Sequence, residues 1–287
     1  MAMTDVPFES YIKSFVKSAP MPYKFKKILG KIYDRRMLKK FDGWMRIYPT
    51  FECTLKCKYC VNDFCPDLDK KLTYELLPAE SWIKIINRTK RNVIFTGGEP
   101  FLHPEFIEII NGIDQSITIK IYTNFTCDIE QFIREVNRPV SFYGSYHPCS
   151  GYPKKFLTCI NKLREAGKFS GTVHAVLWDK QTDFLKEMIP LFKSHGWDLV
   201  LDKEQYELFE SASQKFRKKA NCKRNNLLIA PDGTRYQCVS KMVRRVDPQE
   251  NLLNEPLKGT WVSCLCSDYG YCAPCDGIGE QEKKVLE

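Results

Sequence analysis

Six short apolar runs alternate with amphipathic stretches between residues 45 and 202, and this alternation constrains the fold more than any other feature of the chain. Strands alternating with helices of roughly 10–15 residues are typical of βαβ units in a parallel sheet. The pattern predicts an α/β fold, a partial (β/α)6 TIM-like barrel that stops short of the eight units of a closed barrel. The predicted strands are 45–51, 92–96, 117–123, 140–146, 171–178 and 197–202, and the predicted helices are 79–89, 103–112, 128–136, 153–167 and 181–195.

Chemically unusual residues follow four of the predicted strands. These segments are residues 53–60, 97–100, 124–127 and 147–151. In barrels of this kind the reaction chemistry lies at the C-terminal ends of the strands. The sequence therefore predicts a reaction site at that end of the barrel.

The chain has 13 cysteines and only four histidines. It contains neither a long apolar run nor the apolar segment of a signal peptide, so we expect a cytoplasmic location and no transmembrane segment. Disulfides are rare in a reducing compartment, and clustered cysteines there indicate metal binding or catalysis. Sulfur ligands with few imidazoles favour iron–sulfur clusters or zinc.

The formal net charge is +9, and much of the basic charge lies in residues 24–40. This charge either marks an anionic partner or is an ordinary solvated basic surface. Apolar residues recur at helical spacing in the same stretch, which predicts an amphipathic helix packed on the barrel. A helix on a membrane surface is the alternative. We treat residues 1–43 as a basic helical extension.

The helical alternation ends near residue 206, where a cysteine-rich region begins. Residues 227–230 and 234–239 flank an Asp-Gly turn and predict a β-hairpin. We therefore divide the chain into a barrel, residues 44–205, and a small C-terminal domain, residues 206–287.

The first cysteine cluster is Cys53, Cys57 and Cys60, with the spacing C-x3-C-x2-C. Three thiolates on one loop can hold three irons of a cubane cluster and leave the fourth iron open to a small molecule. A zinc site completed by Cys65 is the alternative that spacing alone leaves open.

This cluster, with Tyr59 before its last cysteine, resembles the motif of the radical S-adenosylmethionine (AdoMet) superfamily. Gly97, Gly98 and Glu99, followed by proline after the second strand, match that family's GGEP motif. The resemblance covers roughly residues 44–205. It implies a 4Fe–4S cluster and AdoMet as cofactors, with Gly97, Gly98 and Glu99 holding the methionyl amino group and Tyr59 lying near adenine.

The resemblance also implies AdoMet contacts from residues that end later strands. By position these are Thr123, Asn124 and Ser145, with Val176 as an apolar wall. Each of them has an ordinary reading as a turn or core residue. The sequence Ser-Tyr-His-Pro at 145–148 departs from the Ser-Ile/Leu-Asp-Gly of many peptide-modifying relatives. This departure argues against a ribose contact at Ser145 and against a peptide substrate.

The second group of cysteines resembles the SPASM and Twitch auxiliary-cluster domains. Cys222 and Cys238 fit the pattern C-x10-G-x4-C, and four more cysteines follow at Cys264, Cys266, Cys272 and Cys275. The resemblance implies one auxiliary 4Fe–4S cluster held by Cys222, Cys238, Cys272 and Cys275, with Cys264 or Cys266 able to replace one of them. A zinc ribbon is the alternative.

This architecture resembles 2-deoxy-scyllo-inosamine dehydrogenase-type enzymes and related sugar epimerases. It implies a radical AdoMet oxidoreductase or epimerase that acts on a small polar molecule such as a sugar or aminocyclitol. Cys149 and, less favourably, Cys127 are candidate hydrogen donors, and His147 is a candidate acid or base. Asp179, Asp202 and Glu204 end strands and are candidates to orient the substrate.

Other functions fit parts of the sequence. A peptide, nucleic acid or lipid substrate is the alternative for a radical enzyme, and a zinc-binding interaction module is the alternative to an enzyme. An electron donor such as flavodoxin or ferredoxin is expected as a partner of a radical AdoMet enzyme.

Overall fold

The computed structural model describes residues 43–60, 62, 74–177, 179–202, 218–225, 227–259, 261–269 and 281–286. The predicted N-terminal extension lies almost entirely outside these residues, as do Cys65, Cys272 and Cys275. The described strands are β1 Met45–Ile47, β2 Val93–Phe95, β3 Ile119–Thr123, β4 Ser141–Tyr146, β5 Gly171–Val176, β6 Leu199–Asp202, β7 Lys218–Arg224, β8 Leu227–Ile229, β9 Arg235–Tyr236, β10 Val262–Tyr269 and β11 Gln281–Val285.

The described helices are α1 Ala79–Thr89, α2 Phe106–Gly112, α3 Glu130–Glu135, α4 Lys154–Glu165, α5 Thr182–Ser194 and α6 Val239–Arg244. Short 3-10 turns lie at Pro100–Leu102, Pro148–Ser150 and Asp179–Gln181. No helix among the described residues is both long and apolar enough to span a bilayer.

The main sheet has eight strands in the order β6-β5-β4-β3-β2-β1-β8-β9. Strands β1 to β6 run parallel in sequence order, which confirms the predicted α/β architecture. Because crossovers between parallel strands are right-handed, this order places the connecting helices on one face of the sheet. The opposite face is the interior of the partial barrel.

Strand β1 is shorter than predicted. The predicted strand ran to residue 51, but β1 ends at Ile47 and is followed by Pro49. The backbone carbonyls of Thr50 and Glu52 accept hydrogen bonds from the loop after β2, so this stretch connects two loops and does not extend the sheet.

The predicted hairpin forms, but it belongs to the main sheet. Strand β8 pairs in parallel with β1, with Met45 opposite Leu227, and β9 pairs antiparallel with β8 at the edge. Strands β7, β10 and β11 form a separate three-stranded antiparallel sheet. The hairpin therefore lengthens the barrel sheet by two strands.

The core lies between the sheet and its helices. Alternate residues of β1, β3, β4 and β5 are buried there, such as Ile119 and Ile121 of β3, because successive side chains point to opposite faces of a strand. Helix α1 contributes Trp82, Ile85 and Ile86, all fully buried on one face. Burying one such side chain stabilises the fold by about 1.5–3 kcal/mol.

The interior face of the barrel is more polar than the helix-covered face. The residues between the core positions are half-buried and include Arg46, Lys120, Tyr122, Tyr143 and His174. A barrel interior filled only for stability would be rich in branched apolar side chains. The polar interior therefore points to a binding function.

Candidate active site

Backbone hydrogen bonds join the cysteine-bearing loop after β1 to the glycine-rich loop after β2. The amide of Gly98 donates to the carbonyl of Thr50 at 3.0 Å, and the amide of Glu99 donates to that of Glu52 at 2.7 Å. A Cβ on Gly98 would lie 2.0 Å from the Glu52 carbonyl oxygen, so only glycine permits this approach. The Gly-Gly pair thus brings Glu99 directly beside the residue that precedes Cys53.

The loop after β1 holds its three cysteines half-buried at the C-terminal end of the barrel strands. The amide of Leu55 lies 3.4 Å from the Cys53 sulfur, and the side-chain amide of Asn124 lies 3.5 Å from it. The Cys60 amide donates to the Cys57 carbonyl at 3.0 Å. Donors around sulfur are the environment in which cluster-ligating thiolates are held and tuned.

The Cys57 sulfur lies 3.2 Å from the sulfur of Cys149 on the turn after β4. The hydrogen bond to Cys149, burial and the neighbouring thiols raise the pKa of Cys57, whereas the same hydrogen bond lowers the pKa of Cys149 to about 7. Among the described residues, no three His, Cys, Asp or Glu side chains are arranged to hold a metal ion. The donor set of three thiols on one loop nevertheless fits a 4Fe–4S cluster with one open iron.

Glu99 is fully buried at the start of the turn after β2. Its Oε1 accepts hydrogen bonds from the Thr123 hydroxyl at 2.8 Å and the Phe101 amide at 3.3 Å, and its Oε2 accepts from the Asn124 amide at 2.8 Å. Burial raises the pKa of Glu99 to about 7, against the opposing effect of these hydrogen bonds. A buried carboxylate in this state favours a cationic group as its ligand.

Tyr59 contacts His147 across the top of the barrel. The Tyr59 hydroxyl lies 3.1 Å from Nδ1 of His147, and their rings stack at a centroid distance of 5.8 Å. Burial lowers the pKa of His147 to about 4, so the ring is neutral at pH 7. This differs from the sequence argument, which gave His147 an acid–base role because an ordinary histidine titrates near neutrality.

The predicted AdoMet-binding residues fall into two groups. Thr123 and Asn124 contact Glu99 directly. Asn62, which the sequence did not predict, donates from its side chain to the Gly97 carbonyl at 2.6 Å. Ser145 and Val176 lie on the interior face of β4 and β5, further along the sheet.

The two candidate hydrogen donors lie in different surroundings. Cys149 is exposed and next to Cys57, whereas Cys127 is half-buried on the loop after β3. Burial raises the pKa of Cys127, with a further contribution from the charge of Glu99. Among the described contacts, Cys149 is the candidate donor that meets the cysteine loop, through Cys57.

Three of the described C-terminal cysteines lie on the smaller sheet. Cys222 of β7 stands opposite Cys264 of β10, and Cys266 follows two residues later on the same face. The Gln237 side chain joins them, because it donates to the Cys222 carbonyl at 2.7 Å and accepts from the Cys264 thiol. Cys238, the next residue, precedes α6. Neither Cys222 nor Cys238 lies on the hairpin strands β8 and β9, since Cys222 belongs to β7 and Cys238 follows β9.

The sequence reasoning missed two polar residues inside the barrel. Tyr143 donates a hydrogen bond to Asp202, and Nδ1 of His174 lies 3.2 Å from the same carboxylate. Asp202 had been singled out as the end of a strand. The available signal for Tyr143 and His174 was their place at interior positions of strands that otherwise alternate with buried apolar residues.

One protein-family model matches the part of the chain that carries both loops of the site. The model of the radical SAM superfamily matches residues 47–144. The 7-carboxy-7-deazaguanine synthase of Clostridium acetobutylicum is 32% identical over 102 residues, which cover 34% of this chain and 45% of that protein. The GTP 3',8-cyclase of Chlorobaculum tepidum is 33% identical over 88 residues, covering 28% of this chain and 25% of that one. The match thus spans less than half of either relative.

Solved structures share the fold at low identity. SuiB of Streptococcus suis bound to S-adenosylmethionine superposes with a TM-score of 0.53 at 14% identity, covering 88% of this chain and 76% of that one. The protein anSMEcpe with bound AdoMet also gives 0.53, at 16% identity, covering 75% and 79%. Both match the α/β partial barrel. These solved structures show the fold alone. The family match identifies residues 47–144 as a radical SAM superfamily domain, and this superfamily implies a 4Fe–4S cluster and AdoMet as cofactors.

Proposed function

We propose that this protein is a radical SAM enzyme that oxidises or epimerises a small polar substrate such as a sugar or cyclitol. The observation that carries the proposal is the joining of two loops by the Gly98 and Glu99 amides. It brings the three thiols of one loop beside the buried carboxylate of the other. These are a cluster-binding group and a cation-binding group held at one end of a barrel.

Cys53, Cys57 and Cys60 would hold the cluster, and Glu99 would hold the amino group of AdoMet. The buried carboxylate of Glu99 becomes fully ionised once a cation lies against it, which strengthens the contact. Thr123 and Asn124 fix that carboxylate. Tyr59, set by His147, would border the adenine, and Ser145 and Val176 would line the remaining part of the site.

The bound cofactors together would supply a 5′-deoxyadenosyl radical that removes a hydrogen atom from substrate. The protein's part is to hold the substrate carbon in reach and to exclude water from the site. Cys149 is our candidate for returning a hydrogen atom during epimerisation, because its thiol is exposed and adjoins Cys57. Cys127 is the second candidate.

A small polar substrate is supported by two observations. Tyr143, His174 and Asp202 line the described barrel interior with hydrogen-bonding groups. Two relatives carry names that refer to nucleotides, a GTP 3',8-cyclase and an S-adenosylmethionine-dependent nucleotide dehydratase. Those activities belong to the relatives, and they support the size and polarity of the substrate proposed for this chain.

We further propose an auxiliary 4Fe–4S cluster on the smaller sheet. Cys222, Cys264 and Cys266 share one sheet face, and Cys238 lies next to the bridging Gln237. Cys272 and Cys275 fall outside the described residues and stay candidates. Arg224 donates to the Cys222 sulfur at 3.3 Å.

Anaerobic reconstitution with iron and sulfide tests both clusters. The wild-type protein should bind two 4Fe–4S clusters, turn brown and, with reductant such as reduced flavodoxin or ferredoxin, form 5′-deoxyadenosine from AdoMet. Cys57→Ala should lose one cluster and all 5′-deoxyadenosine, whereas Cys222→Ala should lose only the second cluster. Cys159→Ala, which changes a buried core cysteine outside both groups, should retain both. Zinc in place of iron would overturn the proposal.

A further inference from the structure

Asp202 ends β6 with its carboxylate held by two neighbouring strands. The Tyr143 hydroxyl donates to its Oδ2, and Nδ1 of His174 lies 3.2 Å from that oxygen and 3.4 Å from Oδ1. The Asp202 side chain is still 24% exposed, against 14% for His174. The carboxylate is therefore fixed in direction while it keeps room to accept another hydrogen bond.

Stacked rings make this arrangement rigid. Tyr122 and Tyr143 stack with centroids 4.3 Å apart, and Tyr143 and His174 stack at 3.8 Å. The Thr172 hydroxyl lies 2.7 Å from Nε2 of His174 and can donate to it. That bond favours the tautomer whose Nδ1–H donates to Asp202, since the neutral ring has one donor and one acceptor.

Strand register places this group beside the expected AdoMet site. His174 stands opposite Ser145 in the pairing of β4 with β5, and Asp202 stands opposite Val176 in the pairing of β5 with β6. Neighbouring strands in a sheet are about 4.8 Å apart. Asp202 thus lies one strand beyond the last residue assigned to AdoMet, at the end of the barrel where the reacting carbon must sit.

We propose that Asp202 binds a hydroxyl group of the substrate and accepts its proton, so that the substrate is a polyol oxidised at a secondary alcohol. This inference rests on the radical SAM function proposed above. The reaction removes a hydrogen atom, a proton and an electron from the alcohol. The carbon-bound hydrogen atom leaves with the 5′-deoxyadenosyl radical, the hydroxyl proton goes to Asp202, and one electron goes to an acceptor of the iron–sulfur class. A ketone is formed.

Two positive charges of the described barrel interior, those of Arg46 and Lys120, lie against the stacked rings. Arg46 and Lys120 both stand opposite Ile94 in the register, towards the N-terminal end of the strands. Their cationic groups lie 5.5 Å from the Tyr122 ring centroid, and Lys120 Nζ also lies 5.6 Å from the ring centroid of Tyr143. An anionic group at the mouth of the barrel would instead meet the Asp202 carboxylate. The direct partner of the Asp202 carboxylate is therefore a hydroxyl group and not a phosphate.

Myo-inositol is a suitable probe, because each of its ring carbons carries a secondary hydroxyl. We expect it to bind the cluster-loaded, AdoMet-bound enzyme and to raise the rate of 5′-deoxyadenosine formation. Asp202→Asn should weaken binding about tenfold or more and abolish the stimulation, while AdoMet still binds. Asp198→Asn removes an exposed carboxylate at the other end of β6 and should change neither. Where Asp202→Asn does not fold, Asp202→Ser carries the same expectation.

Three outcomes would overturn the inference: no binding of myo-inositol to the wild-type enzyme, equal binding to the Asp202 variant, or binding of inorganic phosphate at the site in an Arg46-dependent way. Each is distinguishable from failure of the radical SAM function itself. In that case no cluster would form, or AdoMet would stay intact with any substrate present.

Discussion

The backbone amide of Glu99 donates a 2.7 Å hydrogen bond to the carbonyl of Glu52, immediately before Cys53. This bond belongs to neither β1 nor β2 and joins the two loops that follow them. It makes the position of the buried carboxylate depend on the loop that carries the cysteines. A change that separates the two loops should therefore affect cluster binding and AdoMet binding together.

Replacing Gly98 tests this dependence. In Gly98→Ala the new methyl group would lie 2.0 Å from the Glu52 carbonyl oxygen, so the loops must part. We expect a loss of about 1–3 kcal/mol in the free energy of unfolding and a strongly reduced iron content after reconstitution. Gly167→Ala is the control, since its φ of +67° adds strain but nothing lies within 4 Å of the new atom. Normal iron content in Gly98→Ala would contradict the prediction.

The buried carboxylate of Glu99 should make the cofactor-free protein less stable as the pH rises. Its pKa is raised from an ordinary 4.5 to about 7 in the folded state, so the folded protein binds the extra proton. The associated stability is present below about pH 4.5 and is lost as the pH rises through 7, on the order of 3 kcal/mol in all.

Denaturant unfolding of wild type and Glu99→Gln between pH 5 and 8 measures this effect. The difference in the free energy of unfolding between the two proteins isolates Glu99 from other titrating groups. The wild type should lose stability relative to Glu99→Gln as the pH rises. A pH-independent difference would show that Glu99 is already ionised in the cofactor-free protein. AdoMet binding should release protons at pH 6, which calorimetry in buffers of different ionisation enthalpy detects.

The contact between Tyr59 and His147 should act on AdoMet binding. Tyr59→Phe removes the hydroxyl that lies 3.1 Å from Nδ1, and His147→Leu removes its partner. Loss of one hydrogen bond of about 1 kcal/mol should raise the KM for AdoMet about fivefold. His147→Asn keeps a hydrogen-bond acceptor and should restore much of the affinity. The double variant should be no worse than either single one, and His195→Leu, an exposed histidine, should have no effect.

The sequence was sufficient to predict the strands and helices of the barrel, because these depend on local periodicity. All six predicted strands and five predicted helices occur, with ends shifted by a few residues. The parallel pairing of β8 with β1 was not predictable from local periodicity. It joins Met45 to Leu227 through a pairing that no local pattern specifies.

The side-chain contacts of the site likewise divide into those that a local motif predicts and those that depend on long-range strand pairing. The nearness of Glu99 to Cys53 followed from a motif, whereas the contacts of Asp202 with Tyr143 and His174 depend on the register of three strands. A one-residue shift in register would turn these side chains to the opposite face. Likewise, the low pKa of His147 depends on burial that residue type alone does not reveal.

The pairing of β8 with β1 predicts that the barrel and the hairpin unfold together. Arg235 of β9 forms a 3.1 Å ion pair with Glu250, and their side chains are only 1% and 4% exposed. Glu250→Gln removes this ion pair between two buried side chains and should cost about 3–5 kcal/mol. Glu255→Gln removes an exposed ion pair with Lys258 and should cost less than about 1 kcal/mol. Thermal unfolding, followed by fluorescence and by cluster absorbance, should show one lowered transition in Glu250→Gln. A barrel transition that stays at the wild-type temperature would mean that the hairpin is a separate folding unit.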